Sequence, residues 1–319
     1  MDEKHKRTPK ERQERLKEIM DKLEAGTKAI FDSQRFKEYL TVMSRFHKYS
    51  VNNTILIAMQ MPSATYVAGF RAWQEKFGRT VKKGEKALRI VAPCPYKQKL
   101  EQQKVDPEGN EVTETVEVDR MSFREVAVFD ISQTEGRELP TIAKSLEGSV
   151  HHYAVFFDAL RALSPVPVGF EEIRGGAKGY FSHSENRIAI QEGMSQAQTL
   201  KTLVHEIAHA KLHGGEEGRT KDRHTKEVEA EAVAYTVCQH YGLDTSDYSF
   251  GYVASWSHGR ELSELRSSLE TIRGAASDII SSIDAQMQER QGPVQATPQA
   301  QASSRELKPR KKRVRGYER

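Results

Sequence analysis

His205-Glu206-Ile207-Ala208-His209 is the stretch that decides how the chain is read, a complete H-E-x-x-H. On a helix, residues four apart share a face, so both imidazoles can close on one divalent metal. The glutamate between them projects beside that metal, where it can take a proton from water. Chance alone produces such a pattern in a chain of this composition on the order of a few per cent of the time, so the surroundings must support it. They predict a helix. Leu200, Leu203, Val204, Ile207 and Lys211 fall at i, i+3, i+4, i+7 and i+11, Ser195 can cap the start, and Gly214-Gly215 ends the run.

A catalytic zinc takes three protein ligands and leaves a fourth position open. His213 follows His209 by four, but His205 and His213 stand about 12 Å apart along a helix axis, too far for one ion. His213 is therefore expected to meet the last carbonyls of its own helix. Beyond a polar loop at 214–224, Glu227-Val228-Glu229-Ala230-Glu231-Ala232 opens a second predicted helix that runs to Tyr241 and stops at Gly242. Glu227 and Glu231 share an otherwise apolar face with Ala234 and Cys238, and carboxylates on such a face need partners. Glu227 is the expected third ligand. Glu231 is the expected acceptor that orients a histidine N–H. Glu229 points elsewhere and reads as part of a solvated rim.

H-E-x-x-H followed about twenty residues later by E-x-E-A resembles the gluzincin metallopeptidases. Within them it is most similar to the ImmA/IrrE type and to the peptidase-like half of the ArdC antirestriction proteins, and it departs from the metzincins, which need a third histidine after a glycine turn. The stretch from Gly179-Tyr180 to Leu212 matches as well. The resemblance likewise implies Glu227 as third ligand. Upstream, Gly179–His183 and Arg187–Ile190 flank Ser184-Glu185-Asn186 and predict a hairpin. Arg187 to Gln191 is the candidate for the edge strand along which zincin-like folds lay a peptide, with an ordinary sheet strand as the alternative.

The 319 residues suffice for two domains plus tails, and no apolar run approaches eighteen residues. The charged first twenty-five residues do not read as a signal peptide. Cys94 and Cys238 lie far apart without C-x-x-C spacing, which points to a reducing, cytoplasmic setting. The net charge of +4 is unevenly spread: Arg305 to Arg319 carries eight Lys/Arg against two Glu. Residues 286–304, rich in Gln, Ala, Ser and Pro, read as a disordered linker to that basic tail. The tail is either a solvated end or a non-specific contact for nucleic acid.

In the N-terminal half, residues 8–48 predict helices, with Asn52-Asn53 capping another from Thr54 to Gln60. Ala87–Pro93 and Glu125–Asp130 alternate as paired strands, and the polar insert 97–120, with a turn at Pro107-Glu108-Gly109-Asn110, predicts a long hairpin. From Arg71 to Lys104 there are ten Lys/Arg and three Asp/Glu, interleaved with Phe70, Trp73, Phe77 and Tyr96 nearby. Such a composition suits a single-strand platform, in which cations follow phosphates and aromatic faces take bases. It equally suits a solvated sheet face whose aromatics are core. Asn53-x-x-Leu56-Ile57, Gln60-x-Pro62, Val67-x-Gly69-Phe70-x-x-Trp73, Arg79-x-Val81-Lys82-Lys83-Gly84-Glu85-Lys86 and Phe129-Asp130-Ile131-Ser132-Gln133-Thr134 resemble the N-terminal single-stranded-DNA-binding domain of ArdC proteins.

The two resemblances cover roughly residues 30–255, leaving the charged N-terminal extension, the insert and the tail outside. They imply an α+β single-stranded-DNA-binding domain at 1–140, with a charged helical extension at 1–28, then a zincin-like α+β metallopeptidase domain at 141–285 with the H-E-x-x-H helix, and a basic tail at 286–319. Phe70, Arg71, Trp73, Arg79, Lys82, Lys83, Lys86 and Arg89 are the candidate DNA contacts. His205, His209 and Glu227 would hold Zn²⁺, or Mn²⁺ or another divalent ion, and Glu206 would activate water against a peptide bond. Tyr180, Tyr248 and Tyr252 are unranked candidates for an oxyanion donor. The implied setting is mobile DNA, protected as single strands from restriction. Two rival readings are a DNA-binding protector with a structural metal and a peptidase recruited by DNA to a repressor or another DNA-bound protein.

Overall fold

A computed structural model describes residues 9–105, 111–139, 150–248 and 250–291. Three helices open the chain: α1 (Pro9–Ile30), α2 (Ser33–Arg45) and α3 (Val51–Gln60). The periodic run in α1 buries Ile19 and Leu23 against α3 and α10 (Leu262–Gln291), so the charged segment is part of the core rather than an appendage. The cap of α3 differs from expectation. Ser50, not Asn52-Asn53, accepts from the Asn53 backbone N–H, and the helix begins at Val51. The Asn53 side chain instead exchanges two hydrogen bonds, of 2.8 and 2.9 Å, with the backbone of Val91. Gln60, two turns on, does the same with Arg89, at 2.9 and 2.8 Å. A primary amide offers a donor and an acceptor side by side, as a peptide does, so these residues bind α3 to a strand as a further strand would.

That strand is β3 (Leu88–Val105), preceded by β1 (Val67–Ala68), α4 (Phe70–Phe77) and β2 (Arg79–Val81). It pairs antiparallel with β4 (Glu111–Asp130) from Leu88↔Val128 to Val105↔Glu111, giving the expected long hairpin; the expected turn at 107–110 lies outside the described residues. The base of the hairpin is core, with Leu88, Ile90 and Val128 buried. β1 adds to the other edge of β4, and β2 pairs with β5 (Thr134–Gly136). Asp130 locks this corner by accepting from the backbone N–H groups of Thr65, Tyr66 and Ser132.

The second half runs α5 (Val150–Leu163), β6 (Val168–Glu171), β7 (Gly179–Ser182), β8 (Arg187–Gln191), α6 (Gln196–His213), α7 (Glu216–Thr220), α8 (Arg223–His240) and α9 (Val253–Ser257), ending in α10. β7 and β8 form the expected hairpin, but the sheet order is β6-β8-β7. β8 is therefore the central strand, paired on both sides, and Arg187–Gln191 cannot be the edge that receives a peptide. The reason is the parallel strand β6, which pairs along the other side of β8. The loop expected at 214–224 contains α7, and α8 starts at Arg223, where Asp222 caps it by accepting from Thr225 N–H at 3.0 Å. Residues 286–291 continue α10 rather than a linker; the remainder of that segment and the basic tail lie outside the described residues. No helix among the described residues is long and apolar enough to cross a membrane.

The mixture of helical layers and small sheets is α+β. Helix α10 touches α1, α3, α5, α6 and α8, and α2 packs on α8. Thr41 and Tyr235 share a hydroxyl hydrogen bond of 2.8 Å across the α2–α8 contact, and His240 Nδ1 donates to Ser44 O at 2.7 Å. His47 is buried beside the His240 ring, centroids 5.0 Å apart, with only the Ser44 backbone near enough to favour its charged form. Burial, then the nearby His240 and Lys48, push its pKa down to about 3. The native state thus binds fewer protons here than the unfolded chain, in which the group titrates near 6.5. Stability associated with His47 is present above 6.5 and is lost as pH falls from there toward 3. A His47→Phe variant should flatten that part of the melting-temperature profile; a profile identical to wild type would contradict the assignment.

Candidate metal centre and basic loop

Helix α6 forms where expected. Ser195 accepts from Gln198 N–H at 3.3 Å, and Leu200, Leu203, Val204 and Ile207 are buried. One face presents His205 and His209 with their Nε2 atoms 3.0 Å apart. Glu227, from α8, brings Oε2 to 3.8 Å from His205 Nε2 and 3.7 Å from His209 Nε2. The three ligand atoms lie within 4.8 Å of one another, a group able to hold a metal ion. Two imidazole nitrogens and a carboxylate oxygen are the donors a zinc-type cation takes. Burial, then the neighbouring His209, holds His205 below its usual range, in the neutral form that ligates.

Glu206 is 6 % exposed and turns toward β7, where its carboxyl accepts from the Phe181 backbone N–H. Burial, with a contribution from Glu227, pushes its pKa up to about 7 despite His209 and that hydrogen bond. A carboxyl near neutrality suits proton exchange with water. Strand β7 lies against α6, and at Gly179 a side chain has no room: a Cβ there would stand 2.6 Å from Thr202 Cγ2 and 3.0 Å from Ala189 O. Beside the triad a cleft is lined by Lys178, Lys201, Thr202, Glu231, Asp247 and Tyr248, and Lys201 pairs with Asp247 at 2.7 Å. Of the three tyrosines, Tyr248 lines this cleft, its hydroxyl engaged by the buried Cys238 thiol. Tyr180 is engaged with Glu171 at 2.7 Å and Arg187 at 3.0 Å, and the Tyr252 hydroxyl is buried without a partner among the described residues.

Three expectations need correction. Glu231 makes no hydrogen bond to either histidine among the described residues; it lines the cleft, its pKa pushed up to about 7 by burial and by Glu227. His213 does not serve the carbonyls of its helix. Its Nδ1 lies 3.1 Å from His209 Nδ1 and its Nε2 3.1 Å from Glu229 Oε2. Glu229 is not on a solvated rim but fully buried, held by Lys221 at 2.8 and 2.7 Å and by Ser268 at 2.9 Å. Burial raises its pKa, and these donors overrule that effect and lower it on balance. A signal was available: Val228, Ala232, Val233 and Ala230 flank Glu229 around α8, whereas Glu227 and Glu231 lie together on its less buried side.

The candidate DNA contacts divide into two sets. Trp73 is fully buried in an aromatic cluster with Tyr66 and Phe77, and its Nε1–H donates to Phe129 O at 2.9 Å, so it cannot stack on a base. Arg79 spends its guanidinium on Thr134, Gly136 and Arg137. Arg89 lies 3.4 Å from Glu125 and is half-buried. Phe70, Arg71, Lys82, Lys83 and Lys86 are exposed. Lys82–Lys86 form a shaped loop: Gly84 takes φ +89°, a left-handed conformation that favours glycine, and Gln133 donates to Glu85 and to Lys86 O.

An H-E-x-x-H helix facing a glutamate-bearing helix, over a small sheet with β7 at its edge, places the C-terminal half among the zincin-like α+β metal-site folds. Residues 166–241 match the IrrE N-terminal-like domain, a family of peptidase type, and residues 9–129 match the N-terminal domain of anti-restriction factor ArdC. The chain is thus of the ArdC type, with an ArdC N-terminal domain followed by an IrrE-like domain. The first match begins within α1 and spans the long hairpin, both of which were expected to fall outside the resemblance. An uncharacterized Bacillus anthracis protein is 28 % identical over 326 residues, which cover 90 % of this chain and 55 % of that one. The chain thus spans little more than half the length of that relative. Crystal structures of ArdC from plasmid R388, metal-free and Mn(II)-bound, align at 21 % and 20 % identity with TM-scores of 0.42 and 0.41, covering 75 % of this chain and 84 % of theirs.

Replacing Trp73 with Ala should cost about 3–5 kcal/mol in urea unfolding. Lys83→Ala, on an exposed loop, should stay within about 0.5 kcal/mol. Equal small losses would contradict the core position of Trp73.

Proposed function

We propose that this chain is an anti-restriction protein that binds single-stranded DNA through its N-terminal half and carries a divalent-metal peptidase site in its C-terminal half. The observation that carries the second part is the convergence of His205, His209 and Glu227 within 4.8 Å, with buried Glu206 alongside. Zn²⁺ suits this donor set, and Mn²⁺ is a second candidate. Bound there, the cation supplies Lewis-acid chemistry: it acidifies water and polarises a carbonyl. The chain's own part is proton handling and orientation. Glu206 accepts a proton from water beside the triad and returns it to the leaving amine. Tyr248 lines the cleft and is the proposed donor to a developing oxyanion, which requires its hydroxyl to leave the Cys238 thiol it now meets. The exposed edge of β7, whose Phe181 N–H already points at Glu206, is the edge on which an extended peptide would pair, in place of β8.

For DNA, the loop Lys82–Lys86 with Arg71 supplies cations for phosphates, and exposed Phe70 offers a ring face to a base. These contacts and the division of labour between the halves rest on exposure and charge together with the ArdC-type match.

Glu206→Gln should retain Zn²⁺ while lowering hydrolysis of an unfolded, fluorescein-labelled protein by about 10²–10⁴-fold, measured with and without added single-stranded DNA. Undiminished hydrolysis removes Glu206 from the mechanism. Full anti-restriction activity in that variant would make the metal site structural to the biological role. The double substitution Lys82→Ala, Lys83→Ala should weaken single-strand binding and reduce the slope of log K against log salt by about 0.7 for each phosphate left without its cation. A slope unchanged by the substitution would move the interface elsewhere.

A further inference from the structure

Behind the proposed metal ligands lies a chain of polar groups drawn from four elements, with His213, Glu229 and Ser268 buried and Lys221 partly exposed. His209 and His213 come from α6, Lys221 caps the C-terminus of α7, Glu229 comes from α8, and Ser268 from α10. His213 and Glu229 have side-chain exposures of 1 % and 0 %, and both Glu229 oxygens are occupied: Oε1 by Lys221 and Ser268, Oε2 by His213 and Lys221.

We infer that His213, Glu229, Lys221 and Ser268 are positioning residues that impose one tautomer and one ring angle on His209. The inference rests on the metal-site reading above. Its logic is proton counting. A carboxylate facing an ammonium through both oxygens is ionised and can only accept. His213 Nε2, 3.1 Å from that carboxylate, must therefore carry a hydrogen and donate. With one proton on a neutral ring, His213 Nδ1 is left as an acceptor. His209 Nδ1, 3.1 Å away, must then be the N–H that donates to it. His209 Nε2 is left with a free lone pair, and it is the atom beside His205 Nε2 and Glu227 Oε2. The ammonium of Lys221 thus decides which His209 nitrogen faces the cation, through two imidazoles and a carboxylate. A ligating histidine whose other N–H is held in this way loses less freedom on binding and is more basic. A buried ion pair with a purely structural role would require neither the imidazole order nor the His209 contact.

The test has two arms on the full chain. Ring ¹⁵N shifts of the metal-free wild-type protein should show His209 protonated at Nδ1 and His213 at Nε2; either histidine in the opposite tautomer overturns the inference. Zn²⁺ affinity by chelator competition should weaken about 10–100-fold in His213→Phe, which keeps the bulk and removes the acceptor. His213→Asn, whose Oδ1 can stand in for Nδ1, should recover most of that loss. Unchanged affinity in a folded His213→Phe protein overturns the inference. If that variant fails to fold, the wild-type tautomers decide. Wild type that takes up no Zn²⁺ but shows the stated tautomers would fail the metal reading while leaving the proton order intact.

Discussion

Helices α6 and α8 are buried along most of their length and pack against each other, yet they carry His205, Glu206, His209 and His213 on one and Glu227, Glu229 and Glu231 on the other. Each of these groups would be expensive to bury alone. The arrangement is tolerable because donors and acceptors alternate: imidazole nitrogens meet carboxylates, a lysine neutralises the deepest glutamate, and a backbone N–H from β7 meets Glu206. Much of the surrounding architecture follows from that requirement. The return loop must bring Lys221 inward, α10 must present Ser268, and β7 must approach α6 so closely that a side chain at position 179 would press on Thr202 and the Ala189 carbonyl.

The N-terminal half meets a different requirement with similar means. Its sheets are small, so side chains take over pairing that backbone would otherwise supply. Asn53 and Gln60 bond to β3 as peptides do, Asp130 gathers three backbone N–H groups, and Arg79 ties β2 to the chain after β5. Most of the residues that carry the resemblance to ArdC N-terminal domains thus prove to be joints of the scaffold. Of the exposed lysines of the 82–86 loop, Lys82 also ties in, donating to Ser132 O, while Lys83 and Lys86 project from a loop held in shape by Gly84 and Gln133.

Legibility in the sequence followed the range of the forces involved. The motif helix, its Ser195 cap, the β7–β8 hairpin and the long β3–β4 hairpin depend on period, caps and turns within a few residues, and were readable. The position of β8 was not, because its second neighbour, β6, comes from a separate segment whose short Val166-x-Val168-x-Phe170 alternation is interrupted by Pro167 and Gly169 and does not say which strand it joins. Trp73 looked like a stacking platform since aromatic and basic residues alternate there, and composition cannot tell which face of α4 is covered. Glu229 was misread as rim because its pointing away from the Glu227 face does not say whether that side of α8 meets solvent or, as it does, Lys221 and α10.

By itself the sequence determined the chemistry: two histidines at helical spacing around a glutamate, a second glutamate-bearing helix, and a basic loop, because residue type and periodicity are local properties. That Glu227 faces the histidines was legible in the sequence; that Glu229 turns inward to His213, Lys221 and Ser268 was decided only when α6, α7, α8 and α10 were brought together. Side chains from elements up to about sixty residues apart compete for the same few buried donors, and only their packed positions settle which pairs form.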